Sequence, residues 1–144
     1  MSDALYHAVI VEHDRSPRNE GPLPGATHSA TVDNPLCGDV VTMRAIVTGG
    51  GETRVIADAK FEARGCALCR AAASMLTSRV IGYTLVQVNQ VIDTFEDFVM
   101  SGDGDHRRID LVELEAFAGV QKARARRPCA LLPFRALANA LGRP

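Results

Sequence analysis

The sequence predicts an α+β domain, with a small three-stranded antiparallel sheet in the N-terminal half packed against helices of the C-terminal half. Three stretches alternate apolar and polar residues with a period of two, and the glycine-rich link Gly49-Gly50-Gly51-Glu52 joins the last two as a hairpin. After Cys66 the apolar spacing becomes helical. Strands first and helices after is the element order of an α+β fold.

Residues 3 to about 13 carry Leu5, Ala8, Val9 and Glu12 at helical spacing, with Asp3 as an N-cap. Asp14 to Gly25 holds three prolines and two glycines and reads as a loop. The first strand places His28, Ala30 and Val32 on one face, and the second Val41, Met43, Ala45 and Val47. The third places Val55, Ala57, Ala59, Phe61 and Ala63 opposite Arg54, Asp58, Lys60 and Glu62. Such alternation belongs to a sheet with one buried and one wetter face. From Cys66 to Ile81, Leu68, Ala72, Met75, Leu76 and Val80 share a helix face, and Gly82 ends it. Thr84 and Gln87 form a capping box before a helix that runs to Ser101 on Leu85, Val88, Ile92, Phe95 and Val99. Asp110 to about Ala118 reads as a short helix ended by Gly119, and a last helix runs from about Cys129 to Leu141.

At 144 residues the chain suits one domain, 1–144, with its own core. No apolar run is long enough to span a membrane, and no secretory signal opens the chain. A net charge of −1 gives no reason to expect nucleic acid. Four cysteines without a signal point to the cytosol, where thiols serve as ligands, nucleophiles or core residues.

Three of those cysteines stand next to Gly or Pro, a pattern that packing alone does not explain. Asn34-Pro35-Leu36-Cys37-Gly38-Asp39 puts a thiol and a carboxylate two residues apart on a bend. Gly65-Cys66 and Pro128-Cys129 each open a helix, whose free N–H groups favour a thiolate. Cys37, Asp39, Cys66 and Cys129 together suit a tetrahedral zinc ion, and the same soft donors suit iron in an iron–sulfur cluster. Cys66-Ala67-Leu68-Cys69 also reads as a CxxC redox pair, but the hairpin pattern disagrees with the parallel strands of a thioredoxin fold. Cys69, one helical turn after Cys66, is expected in the core, with a spare ligand or a resolving thiol as the other readings.

Other motifs are weaker. Asp103-Gly104-Asp105 lacks the glycine and glutamate that a calcium loop needs and reads as a solvated turn. Lys122 to Arg127 is a basic run, expected as an exposed face, with docking of an acidic partner beside Cys129 as the sharper reading. His7, His13, His28 and His106 show no ligand spacing and are expected at the surface.

These motifs, in this order, resemble the U-type iron–sulfur assembly proteins (the IscU and NifU N-terminal family, with an IscU-like fold). The resemblance rests on Leu5-Tyr6, His13 and Pro17-Arg18-Asn19, on the Cys37 loop, on Gly65-Cys66 with Ala73-Ser74-Met75, and on Ala116 to Val120 with Ala125-Arg126 and Cys129-Ala130-Leu131-Leu132. Two features are similar to the SufU branch: the long segment from Gly82 to Gly119, and Pro128 where IscU-like members carry a histidine ligand. The resemblance implies a zinc site of Cys37, Asp39, Cys66 and Cys129 and a role as sulfur acceptor for a SufS-like cysteine desulfurase, with downstream iron–sulfur assembly proteins beyond it. Cys37 would leave the zinc and take the sulfur as a persulfide, a sulfurtransferase activity, and Asp39 would tune how readily the site opens. The alternative it implies is a non-enzymatic scaffold for a [2Fe–2S] cluster, and a thiol redox protein using Cys66 and Cys69 is the second alternative. Cys69, Arg124 and Phe134 depart from the branch's pattern.

Overall fold

The computed structural model describes residues 8–101 and 109–143. Helix α1 (Ala8–Arg15) leads through a loop into β1 (His28–Asn34), β2 (Asp39–Thr48) and β3 (Val55–Arg64). Then come α2 (Ala67–Val80), α3 (Leu85–Ser101), 3₁₀ segments over Ile109–Lys122 and Arg124–Arg126, and α4 (Arg127–Ala140). The sheet is antiparallel in the order β1-β2-β3. One of its faces packs on α4 at β1 and β2 and on α2 at β3. The expected α+β architecture, with helices after strands, is what the chain adopts.

The strand faces are as expected, with one slip. Val41, Met43, Ala45, Ala59 and Phe61 are fully buried. Near the β2–β3 turn the register jumps from Ile46↔Asp58 to Val47↔Ile56, which leaves Ala57 as the extra residue of a β-bulge. The bulge reverses the parity of what precedes it. Ile56 is therefore the core residue and Ala57 is exposed, against the expected inward Ala57. The outer edge of β3 is covered by other chain segments. Gly21 N–H donates to Phe61 O at 2.8 Å and Phe61 N–H to Asn19 O at 2.9 Å, while Ile56 N–H donates to Tyr83 O at 2.9 Å. An edge so paired is no longer a template for another chain.

Helix α2 is the centre of the fold and is buried nearly all round. Cys69, Ala71, Ala73, Ser74 and Thr77 join the expected Leu68, Ala72, Met75, Leu76 and Val80. Its polar members have partners: Ser74 Oγ accepts Arg18 N–H at 2.8 Å, and Thr77 Oγ1 donates to Ala73 O at 2.9 Å. The capping box forms reciprocally, Thr84 N–H to Gln87 Oε1 at 2.9 Å and Gln87 N–H to Thr84 Oγ1 at 3.2 Å. Phe95 of α3 stacks on Phe134 of α4 at 4.2 Å and meets Phe117 edge-on at 5.6 Å.

Three expectations need correction. The segment expected as an α-helix over 110–118 is a 3₁₀ helix that runs past Gly119 to Lys122. Its buried residues Leu114, Phe117 and Val120 recur every third position, the period at which a 3₁₀ helix lines up one face. The last helix opens at Arg127, not Cys129, because Pro128 fits the first turn, where its missing N–H costs nothing. His13 is buried rather than at the surface, at 2 % exposure, with Nδ1 2.7 Å from Ser74 Oγ. With Ile10 it forms the buried face of α1, while Ala8 and Glu12 are exposed. His28 is half-buried on β1. The expected Asp3 cap, His7, His106 and the Asp103–Asp105 turn lie outside the described residues, as does the side chain of Asp110.

Burial holds the His13 pKa below the usual histidine value, and the Arg18 charge adds to this, against an opposing pull from Glu113, whose Oε1 is 3.5 Å from Nε2. As pH falls, the unfolded histidine takes its proton before the folded one does. Stability is then full above about pH 6.5 and is lost as pH falls toward the lowered folded value. The expected slope is up to about 1.4 kcal/mol per pH unit in that window. Denaturant midpoints measured from pH 7.5 to 5 should show it, and His13→Asn should flatten it.

Candidate metal centre

Cys37 sits at the tip of the β1–β2 hairpin. Asn34 builds this turn: its side-chain Oδ1 accepts Leu36 N–H at 3.1 Å, and its carbonyl accepts the N–H of Cys37 at 3.2 Å and of Gly38 at 2.8 Å. Gly38 closes the bend at φ +77°, where a side chain is strained. Cys37 is exposed. Asp39 is the first residue of β2, paired with Asn34 and only 2 % exposed.

The next thiol enters where β3 gives way to α2. Cys66 is the N-cap of α2, with extended backbone at φ −80° and ψ 167°. Asp39 reaches across to this helix start. Its Oδ1 accepts Cys66 N–H at 3.1 Å, and Oδ2 accepts from the Cys66 thiol at 3.5 Å. Gly65 makes room for that carboxylate. It stands at φ +155°, and a Cβ on it would overlap Asp39 Oδ1 and lie 2.6 Å from Cγ. The last thiol, Cys129, is in the first turn of α4 and 3 % exposed.

One ligand atom each from Cys37, Asp39 and Cys129 lies within 4.8 Å of the others. Cys66 adjoins them through Asp39. For Zn–S near ~2.3 Å a tetrahedral edge is roughly 3.8 Å, so these atoms need to close by at most about 1 Å. The charge balance fits a cation as well. Burial pushes the Cys129 thiol above its usual pKa, and Cys66, Asp39 and Cys37 push it further. Groups that oppose one another's ionisation in this way are reconciled by a divalent ion among them. The donor set is therefore suited to a metal.

Cys69 stands apart. It has no exposure and belongs to the hydrophobic core, and burial above all raises its pKa. A thiol so placed lacks the accessible, acidified setting of a redox nucleophile. All four cysteines are free thiols. The basic run is split: Lys122 and Arg124 are exposed, Arg126 and Arg127 are half-buried, and Arg127 Nε donates to Gln121 O at 3.1 Å. Sequence reasoning missed two supports, the space at Gly65 and the burial of His13. The Gly before Cys66 was a signal for the first, and the three-residue offset from Ile10 to His13 for the second.

Comparison with known proteins agrees with this architecture. The profile of the NifU-like N terminal domain matches residues 5–130. The zinc-dependent sulfurtransferase SufU of Bacillus subtilis is 37% identical over 137 residues, which span 94% of this chain and 88% of that protein. The iron–sulfur cluster assembly scaffold protein IscU of Streptococcus pyogenes is 32% identical over 139 residues, 96% of this chain and 84% of that one. The crystal structure of the N-terminal part of a nitrogen-fixing NifU-like protein from Brucella abortus superposes with a TM-score of 0.84 at 26% identity, covering 97% of this chain and 94% of the other. A chain with this sheet, these helices and a profile match along most of its length belongs to the NifU-like N-terminal domain family.

Proposed function

We propose that this chain serves iron–sulfur cluster assembly as a zinc-binding sulfur acceptor, with Cys37, Asp39, Cys66 and Cys129 as ligands and Cys37 as the group that takes sulfur from a cysteine desulfurase. The observation that carries this is a contrast within the site. Cys37 is exposed at a hairpin tip, whereas Asp39 and Cys129, within 4.8 Å of it, are buried. One thiol can meet a partner while the rest stay fixed. Likeness to a zinc-dependent sulfurtransferase supports both the metal and the transfer. Downstream assembly proteins, a cytosolic setting and a single functional unit over residues 1–144 belong to the same reading. No helix among the described residues is long and apolar enough to cross a membrane.

Bound zinc would supply the positive charge that keeps these thiols deprotonated. The chain's own residues do the rest. The Cys37 thiolate attacks the outer sulfur of a desulfurase cysteine persulfide. A new S–S bond forms as the donor's breaks, the electron pair leaves on the donor's sulfur, and no net oxidation occurs. Asp39, anchored on Cys66 N–H, holds the remaining wall of the site in place while Cys37 reacts.

A second reading, a scaffold on which a [2Fe–2S] cluster is assembled, uses the same donors and is favoured by the likeness to an assembly scaffold protein. Metal and sulfide analysis with a visible spectrum separates the two. The sulfur acceptor should hold about one zinc per chain, stay colourless, and gain a persulfide from the desulfurase that Cys37→Ser abolishes. Iron with acid-labile sulfide and a brown solution would replace it with the scaffold.

Two substitutions test the site's construction. Cys69→Ser should leave zinc content unchanged and lower stability by about 1–3 kcal/mol, since a hydroxyl replaces a thiol in the core. Loss of zinc there would make Cys69 a ligand. Gly65→Ala should weaken zinc binding by about tenfold or more, because the added Cβ displaces the Asp39 carboxylate. Competition with a chelator reads that change directly.

A further inference from the structure

The apolar side chain beside Cys37 has no role inside the fold. Leu36 is 94% exposed, the highest among the exposed large hydrophobic residues described, with Ile81, Val86 and Met100 between 36% and 53%. Ile81 follows the end of α2, and Val86 and Met100 lie on α3. Single exposed leucines are ordinary on protein surfaces. This one is different in how it is held. The N–H groups of Leu36, Cys37 and Gly38 all donate to Asn34, so the turn that presents Cys37 also presents Leu36 outward in a fixed geometry. A turn whose backbone is held in advance loses little backbone freedom on docking.

The surroundings specify the partner's chemistry. Arg64 pairs in register with Val40, next to Asp39, and is exposed. Lys122 and Arg124 are exposed on the approach to Cys129. The exposed acid Asp33 pairs with Val40 from the other side, opposite Arg64, and Lys122 and Arg124 add positive charge in the run that leads to Cys129. A basic surround with one protruding apolar residue fits an acidic-rimmed apolar pocket.

We propose that Leu36 is the docking anchor for the desulfurase, entering an apolar pocket with an acidic rim on that enzyme and thereby setting Cys37 against its persulfide. This rests on the sulfur-acceptor reading above and adds the residue that recognises the donor protein. A leucine with so little burial in the free chain can be replaced without disturbing the core.

The test measures sulfur transfer from the purified desulfurase while the concentration of this chain is varied. Leu36→Ala should raise the apparent KM about tenfold and Leu36→Asp further, with kcat at saturation within about twofold of the parent. Arg64→Glu with Arg124→Glu should also raise KM and weaken its dependence on salt. Two controls separate docking from reactivity: zinc content, and the rate at which a small persulfide, glutathione persulfide, modifies Cys37. Both should match the parent in the Leu36 variants. An unchanged KM for Leu36→Asp, with the parent accepting sulfur normally, would overturn the anchor and leave the sulfur-acceptor reading standing. Failure of the parent to accept any sulfur from the desulfurase would overturn both. Equal slowing with glutathione persulfide would overturn docking in favour of a distorted turn. A parent dimer that Leu36→Asp makes monomeric would assign the tip to a second copy instead.

Discussion

The molecule is organised around an electrostatic crowd. Three thiols and a carboxylate meet where the β1–β2 tip reaches the first turns of two helices. Each arrives on its own element: Cys37 on a turn, Asp39 on a strand, Cys66 at a helix cap and Cys129 within a first turn. Burial raises the Cys129 pKa first, and the neighbouring Cys66, Asp39 and Cys37 oppose its ionisation further. The gathering is held together by packing that was established for other reasons. The helices α2 and α4 that carry two of the thiols are the same helices that cover the buried face of the sheet. Cys66 and Cys129 are thus placed by the core-packing helices, whereas Cys37 stands on an exposed turn outside the core.

That contrast gives the site its polarity. Asp39 is fixed by a hydrogen bond from the backbone of Cys66 and by the close approach of Gly65. Cys129 is fixed by its helix. Pro133, four residues on, cannot donate a hydrogen bond to the Cys129 carbonyl, and Ala130 to Phe134 around it are buried. Cys37 is held through its backbone by the Asn34 turn, at the exposed end of the hairpin. A centre with several fixed donors and one on a solvent-facing loop is suited to exchange at a single vertex. Pro128 sharpens this, because the position before Cys129 offers no side-chain donor of its own.

Much of the fold was legible because its pattern is local. Period-two alternation marked three strands, and Thr84 with Gln87 marked a helix start that the hydrogen bonds reproduce. The candidate ligands were legible too, since Gly and Pro set each cysteine apart from ordinary core residues. What could not be read depends on contacts distant in sequence. The bulge at Ala57 is decided by pairing between β2 and β3, not by β3 alone. His13 is buried because Ser74, sixty-one positions later, offers it a partner. The 3₁₀ segment does carry a local signal, the repeat of Leu114, Phe117 and Val120 at three residues, which the cap-like Asp110 obscures by suggesting an α-helix start.

The CxxC pair shows why spacing alone misleads. Cys66 and Cys69 are one helical turn apart and would share a face if both belonged to the helix. Cys66 does not belong to it. As the N-cap it keeps an extended backbone, which lets its thiol leave the helix and meet Asp39. Cys69 lies one turn in, on a helix that is surrounded almost completely, and there a thiol is a small hydrophobe. Cys129 is also inside a helix, in its first turn, yet it reaches the site because α4 runs its first turn past the hairpin tip. What assigns a cysteine to the centre is therefore not its distance from another cysteine. It is whether its end of the helix abuts the β1–β2 turn, where the one exposed donor waits.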